Sequence, residues 1–354
     1  MKQIRVFQIG CGKMSKYIMK YIYDLGGIVV GAVDINKDII GNDIGKIIGT
    51  DSKEIIINDA QKLDTLLKDT KPDIAVITTL SYLNDIEDVI RTCIMNGVNV
   101  ITSAEECFYA ESSNPTLYKE LNILAKSYGV TITGCGYQDI FWGNLITNLA
   151  ASTHNITKIK GSSSYNVEDY GLALAKAHGA GLSIEEFTAT IASSDNISDE
   201  ERHKLIMERK FNASYMWNAA SWIADKMQLT PIRITQKCVP TTSAEDIFSN
   251  TLNMNIQKGF ATGMSAITTL ETKEGITIEA ECIGKIYSEN DYDKNEWTIY
   301  GEPNTTLTIN KPDTVKLTCA DIVNRIPDVI LAPPGFIPTC NLKEATYKRT
   351  YEMQ

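Results

Sequence analysis

From residue 4 onward, short apolar runs alternate with longer stretches in which apolar residues recur every three or four positions. Residues 4–9 (Ile-Arg-Val-Phe-Gln-Ile) read as a first strand, and 13–24 as a helix with Met14, Ile18, Tyr21 and Ile22 on one face. A second strand covers 28–33, and others follow at 74–78, 98–102 and 130–133, each led in by a helix. Gly97 and Gly129 stop helices at 84–96 and 115–128, and the later helix opens on Asn114 as N-cap with Pro115 at its first position. Parallel strands joined by right-handed helical crossovers build an open doubly wound sheet. Residues 1–142 are therefore predicted to be a Rossmann-type α/β domain that binds a dinucleotide.

After Trp142 the period changes. A helix at 143–152 leads to a strand at 156–165, then to polar helical segments at 183–192 and 198–228. From 232 to 317 β-branched and polar residues alternate, as in Ile276-Thr277-Ile278-Glu279-Ala280-Glu281. That is the pattern of a mostly antiparallel sheet with one solvated face. Residues 143–319 are read as a second, α+β domain, and 320–354 as a segment that returns to the first, opening with a helix at 320–331.

Charge and composition narrow the function. The net charge is −10 with no block of Lys and Arg, so a nucleic-acid partner is not expected. No apolar run approaches the ~20 residues that span a bilayer, and no secretory signal opens the chain, so a cytoplasmic protein without membrane contact is expected. Eight cysteines (11, 93, 107, 135, 238, 282, 319, 340) form no Cys-x-x-Cys pair, and three histidines (154, 178, 203) lack metal-ligand spacing. Reduced thiols and no metal site follow.

The first strand ends in Gly10-Cys11-Gly12-Lys13-Met14-Ser15, and a helix begins at once. Gly10 permits a tight turn, and Gly12 lets backbone N–H groups approach a pyrophosphate at the helix N-terminus. Ser15 departs from the usual third glycine. Asp34 closes the second strand, where a carboxylate accepts from both adenosine ribose hydroxyls and repels a 2′-phosphate. NAD is favoured, with NADP kept open by the cation of Lys37. Thr78, Thr79, Leu80 and Ser103, at other strand ends, are further cofactor contacts.

Three clusters carry candidate chemistry. Glu105 or Glu106, after the strand ending at Thr102, can serve as a general base; adjacent residues diverge, so one is expected to be structural, and both being merely solvated is the plain alternative. Cys135, in Gly134-Cys135-Gly136-Tyr137, raises an acyl-enzyme route of the semialdehyde-dehydrogenase type, against a buried structural thiol. Residues 163–170, with Tyr165, Glu168, Asp169 and Tyr170, and then His178, suit a small cationic substrate or a polar surface turn. An NADH-sensing regulator would need a basic helix or partner module that the acidic chain lacks.

These residues carry a resemblance. Gly-Cys-Gly-Lys-Met at 10–14, Ser-Ala-Glu-Glu with Tyr109 at 103–109, Gly134 to Trp142, and Asn324-Arg325-Ile326-Pro327 leading to Ala332-Pro333-Pro334-Gly335 resemble the 2,4-diaminopentanoate dehydrogenases and related amine dehydrogenases. The resemblance implies a dihydrodipicolinate-reductase-like two-domain fold, a homodimer joined through the second domain, and NAD(P)-dependent oxidative deamination of a small diamino acid in ornithine degradation. It implies Glu105 as the base with Glu106 as the alternative, and a substrate pocket lined by Trp142, Tyr165, Tyr170 and His178. Glu168 and Asp169 are the expected partners of the substrate's remote ammonium group. The Glu-Lys-Pro motif of sugar and inositol dehydrogenases is absent at Ala104-Glu105-Glu106, as is the His-His pair of dihydrodipicolinate reductases.

Overall fold

The computed structural model describes residues 3–351. These form two compact units, 3–144 with 313–351, and Leu145–Pro312.

In the first unit the expected alternation appears as β1 (Arg5–Ile9), α1 (Lys13–Asp24), β2 (Ile28–Asp34), α2 (Ile44–Ile48), β3 (Ile57–Asp59) and α3 (Leu63–Thr70). It continues through β4 (Ile74–Ile77), α4 (Leu83–Met95), β5 (Asn99–Thr102), α5 (Pro115–Tyr128) and β6 (Thr131–Gly134). Neighbouring residues of one strand face opposite layers. Val100 packs with α3, α4 and α5, whereas Ile101 packs with the helices on the other face. The strands are buried on both sides, which is why they read as unbroken apolar runs. Asn114 does sit at the start of α5, but its side chain donates to Asn84 Oδ1 (3.0 Å) instead of capping the helix.

The second unit contains α6 (Leu145–Ala150), β7 (His154–Asn166), α7 (Leu172–Ala177), α8 (Ile184–Thr190), α9 (Asp199–Met207) and α10 (Tyr215–Lys226). Strands β8 (Pro231–Thr242), β9 (Ile247–Ser249), β10 (Met254–Ile256), β11 (Ala261–Thr272), β12 (Thr277–Lys285), β13 (Lys294–Glu302) and β14 (Thr305–Asn310) follow. Six of them form a sheet in the order β14-β13-β7-β12-β11-β8. All its pairs are antiparallel except β7–β12, because β7 arrives from the far side of the helical segments. The strict alternation of burial along β12 marks one covered and one open face, and on this strand Glu279 pairs with Lys158 (2.9 Å) and Lys160 (3.4 Å) of β7. The stretch read as one polar helical segment at 198–228 is two helices. Ser198 caps α9 through its hydroxyl, Arg209 at φ 61° breaks the chain, and α10 is buried from Met216 to Ala224 against β8, β11 and β12.

The chain returns to the first unit as α11 (Thr314–Ile330) and β15 (Gly335–Phe336). The return starts at 313 and not at the expected 320, because Asp313 accepts from Lys316 N (3.0 Å) and nucleates the helix there. The all-parallel sheet then runs β15-β6-β5-β4-β1-β2-β3. No helix among the described residues is long and apolar enough to cross a membrane.

Candidate active site

The strand order reverses between β1 and β4, and in such sheets ligands bind at the carboxyl ends on either side of that point. Gly10 turns there at φ 85°, and a Cβ on it would lie 2.7 Å from Thr79 Cγ2 and 2.9 Å from Thr78 O. Only glycine fits. The buried Gln8 amide donates to Gly10 O (2.8 Å) and Thr78 Oγ1 (2.9 Å), and the Thr78 hydroxyl donates to Gly10 O (3.0 Å). Gln8, absent from the sequence reading, thus knits the turn to β4.

Gly12 caps α1, and a Cβ there would meet nothing within 4 Å. An open helix N-terminus beside open space suits a pyrophosphate. Ser15 replaces the third glycine by burying its hydroxyl against Gly12 O (2.8 Å). Asp34 Oδ2 accepts from Cys11 N (2.5 Å) and Oδ1 from Asn36 N (2.7 Å), which fixes the carboxylate at the rim; each oxygen keeps further lone-pair capacity. Lys13, Lys37, Thr79 and Leu80 are exposed around this edge, with Thr78 and Ser103 half-buried.

Two expected cofactor side chains point elsewhere. Cys11 is buried in the core with its thiol on Val33 O (3.7 Å), and Met14 packs against the same cluster, so only their backbones border the turn.

Glu105 and Glu106 lie in a single 3₁₀ turn (Glu105–Phe108) after β5. A Cβ on Gly134 would sit 2.2 Å from Cys107 C, so this glycine lets the turn rest directly on the end of β6. Glu106 is the structural member of the pair. Its Oε2 accepts from Leu83 N (2.7 Å) at the start of α4 and its Oε1 from the Ser113 hydroxyl (2.8 Å). Glu105 is half-buried and accepts from Ser81; burial pushes its carboxyl above the usual range, and the Ser81 bond opposes only part of that.

Cys135 is no nucleophile. It is fully buried, its thiol donates to Asp321 Oδ2 (3.1 Å), and burial with Asp321 and Asp139 nearby holds it well above an ordinary thiol. Burial and Asp139 likewise push the Asp321 carboxyl up. Cys135, Asp139 and Asp321 are close enough to ligate a metal, but the buried Arg325 guanidinium supplies the cation there, 2.8 Å from Asp139 Oδ2. Asp139 opens a π-helical turn (Asp139–Asn144) that Asn144 closes by donating to Asp139 O (2.8 Å) and Oδ1 (2.9 Å). Trp142 lies on this turn, edge-on to Tyr137, and its buried indole N–H finds no acceptor among the described residues.

In the second unit, the Tyr165 hydroxyl lies 2.7 Å from His178 Nε2, and Tyr170 packs edge-on to Tyr165 at 5.6 Å. Glu168 is committed to the fold. Its Oε1 accepts from Ser249 Oγ (2.7 Å) and Thr251 N (3.0 Å), fastening the β9–β10 hairpin. Asp169 and Tyr170 are exposed.

The family model for the 2,4-diaminopentanoate dehydrogenase C-terminal domain matches residues 141–346. An amine dehydrogenase from Mycobacterium smegmatis is 34% identical, with a TM-score of 0.83 over 99% of each chain. The 2,4-diaminopentanoate dehydrogenase of Acetoanaerobium sticklandii is 24% identical over 95% of this chain and 92% of its own. A dehydrogenase from Thermotoga maritima, 11% identical with a TM-score of 0.57 over 94% of this chain and 90% of its own, shares the fold alone.

Proposed function

Since the chain belongs to the 2,4-diaminopentanoate dehydrogenase family, it is an NAD(P)-dependent oxidoreductase acting on an amine, and we propose that it deaminates 2,4-diaminopentanoate to 2-amino-4-oxopentanoate and ammonia. The observation that carries the chemistry is Glu105. It is a carboxylate with a raised pKa on the sheet edge that holds the glycine turn, while its neighbour Glu106 is locked into the fold.

The glycine turn fits a dinucleotide. The backbone from Gly10 to Met14 would hold the pyrophosphate, Asp34 the adenosine ribose, and Thr78 to Leu80 with Ser103 the nicotinamide side. When bound, the nicotinamide supplies a hydride acceptor for the carbon that bears the reacting amine. Glu105 takes the ammonium proton, so the nitrogen lone pair is available when that carbon is oxidised. It then holds the water that adds to the same carbon and releases ammonia. A raised pKa suits a group that must both take and return a proton near neutral pH.

In this reading Tyr165, Tyr170 and His178 bind the substrate, Trp142 is a further candidate for that role, and Asp169 is the remaining candidate for the remote ammonium group. Asp34 favours NAD over NADP by repelling a 2′-phosphate. The same proposal includes a homodimer joined through the second unit, a cytoplasmic setting and a place in ornithine degradation. Glu105→Gln keeps size and hydrogen bonding but loses the base. Turnover should fall about 10²- to 10⁴-fold with dinucleotide binding by fluorescence titration unchanged. Full turnover in this variant would place the base elsewhere.

A further inference from the structure

The turn that carries Glu105 is fastened to the segment after β4 by three bonds. Ser103 N donates to Ile77 O (3.1 Å), Glu106 N donates to Ser81 O (3.1 Å), and Leu83 N donates to Glu106 Oε2 (2.7 Å). Glu106 thus holds Ser81 through its backbone and Leu83 through its carboxylate, whose other oxygen accepts from the Ser113 hydroxyl (2.8 Å). Between these fixed points the Ser81 hydroxyl donates to the Glu105 carboxylate. A carboxylate can only accept, so the direction of this bond is set whenever Glu105 is ionised.

Neither segment brings a cation: residues 77–85 and 102–109 contain no Lys, Arg or His. Their titratable side chains are Glu106, Cys107 and Tyr109 around the turn, and Tyr82 and Asp85 at the start of α4. Cys135 is added by the end of β6, where its N–H donates to Thr102 O (2.9 Å). Each of these groups is neutral or negative at any pH, so none can balance an ionised glutamate. Burial pushes the Glu105 carboxyl up, and only dipoles pull the other way: the Ser81 hydroxyl and the glutamate's own backbone N–H.

We propose that Ser81 is a positioning residue, held in place by Glu106, whose hydroxyl aims the Glu105 carboxylate for proton transfer. This rests on the reading of Glu105 as the base. A hydroxyl suits a partner that takes and returns a proton. Its hydrogen donates to the ionised carboxylate and its oxygen accepts from the protonated one, so a single contact serves both states.

The test is the pH profile of kcat/KM for 2,4-diaminopentanoate at saturating NAD, measured on the full-length enzyme and its Ser81→Ala and Ser81→Thr variants. Without the donor the ionised carboxylate is less favoured, so in Ser81→Ala the acid limb should move about one unit to higher pH. Turnover on the alkaline plateau should fall roughly 10-fold, because the carboxylate is no longer held in line. Ser81→Thr keeps the hydroxyl and should keep the wild-type limb. An unmoved limb in Ser81→Ala, or the same movement in both variants, would overturn the proposal. Should the alanine variant not fold, Ser81→Cys, a weaker donor, should move the limb the same way by less, and an unmoved limb there is equally fatal. In a Glu105→Gln background Ser81→Ala should cost no further turnover, whereas a loss that multiplies would show Ser81 acting on something else. A wild type that oxidises no amine, or a Glu105→Gln variant at full turnover, overturns the functional reading and this inference with it. An impaired Glu105→Gln beside an unmoved Ser81→Ala limb overturns this inference alone.

Discussion

Two adjacent glutamates illustrate what a residue's neighbours decide. Nothing in the pair Glu105-Glu106 tells them apart as letters, and only the tertiary partners do: Leu83 N and Ser113 for Glu106, and burial beside Ser81 for Glu105. The resemblance favoured Glu105, whereas residue chemistry alone left both open. The raised pKa of Glu105 makes a claim about pH. As a base it works only when ionised, so the acid limb of kcat/KM should inflect above the ordinary glutamate value of about 4.3. The linked stability has the opposite sense. A carboxyl that binds its proton more tightly folded than unfolded adds stability below its unfolded pKa, and that contribution is lost as pH rises through the folded pKa. Glu105→Gln should therefore melt no lower than wild type at neutral pH, with a flatter dependence of Tm on pH through that window. A Tm that falls on substitution and a pH profile with an unshifted acid limb would both count against this picture.

At the scale of elements, the long periodic segments were legible and the short or compensated ones were not. Strand β15 escaped because two prolines precede its two residues; it pairs with β6 through Gly335 N to Val130 O (2.9 Å) and Ile337 N to Ile132 O (2.8 Å). The break between α9 and α10 escaped because nothing in the local period reveals it. Gly284 of β12 had a visible signal, a glycine inside an alternating strand, which marks the close approach of Tyr165 and His178 over it.

The Asn324–Pro327 motif was legible as a signature but not in its meaning. Pro327 lies inside α11 and has no N–H to give Val323 O, and the Tyr351 hydroxyl donates to that carbonyl instead (2.8 Å). Asn324 accepts from Lys348 N (3.0 Å), and Arg325 donates to Lys343 O. The motif fastens the chain's return. Tyr351→Phe should cost about 1–3 kcal/mol by leaving a buried carbonyl unsatisfied. In a Pro327→Ala background the cost should shrink, because the substituted residue regains a backbone N–H that can reach Val323 O. Urea unfolding of the four proteins measures this coupling, and equal costs in both backgrounds would break the link between Pro327 and Tyr351.

At the scale of the whole chain, hydrophobic period sufficed for a doubly wound parallel sheet and a second sheet of alternating strands, and glycine placement for a tight turn at the reversal point of the first. The division of labour among buried polar groups did not follow, because Glu168, Glu106 and Cys135 look reactive in sequence and are structural in space. What remains is a dinucleotide turn and Glu105 at the sheet edge of one unit, and the hydrogen-bonded Tyr165–His178 pair in the other. The most direct test of this account is the production of reduced nicotinamide and ammonia by the purified enzyme on 2,4-diaminopentanoate, with NAD and NADP compared. The account predicts equal amounts of both products, faster turnover with NAD, and no activity on simple alcohols. Dinucleotide binding without any amine oxidation, or oxidation of alcohols instead, would contradict it.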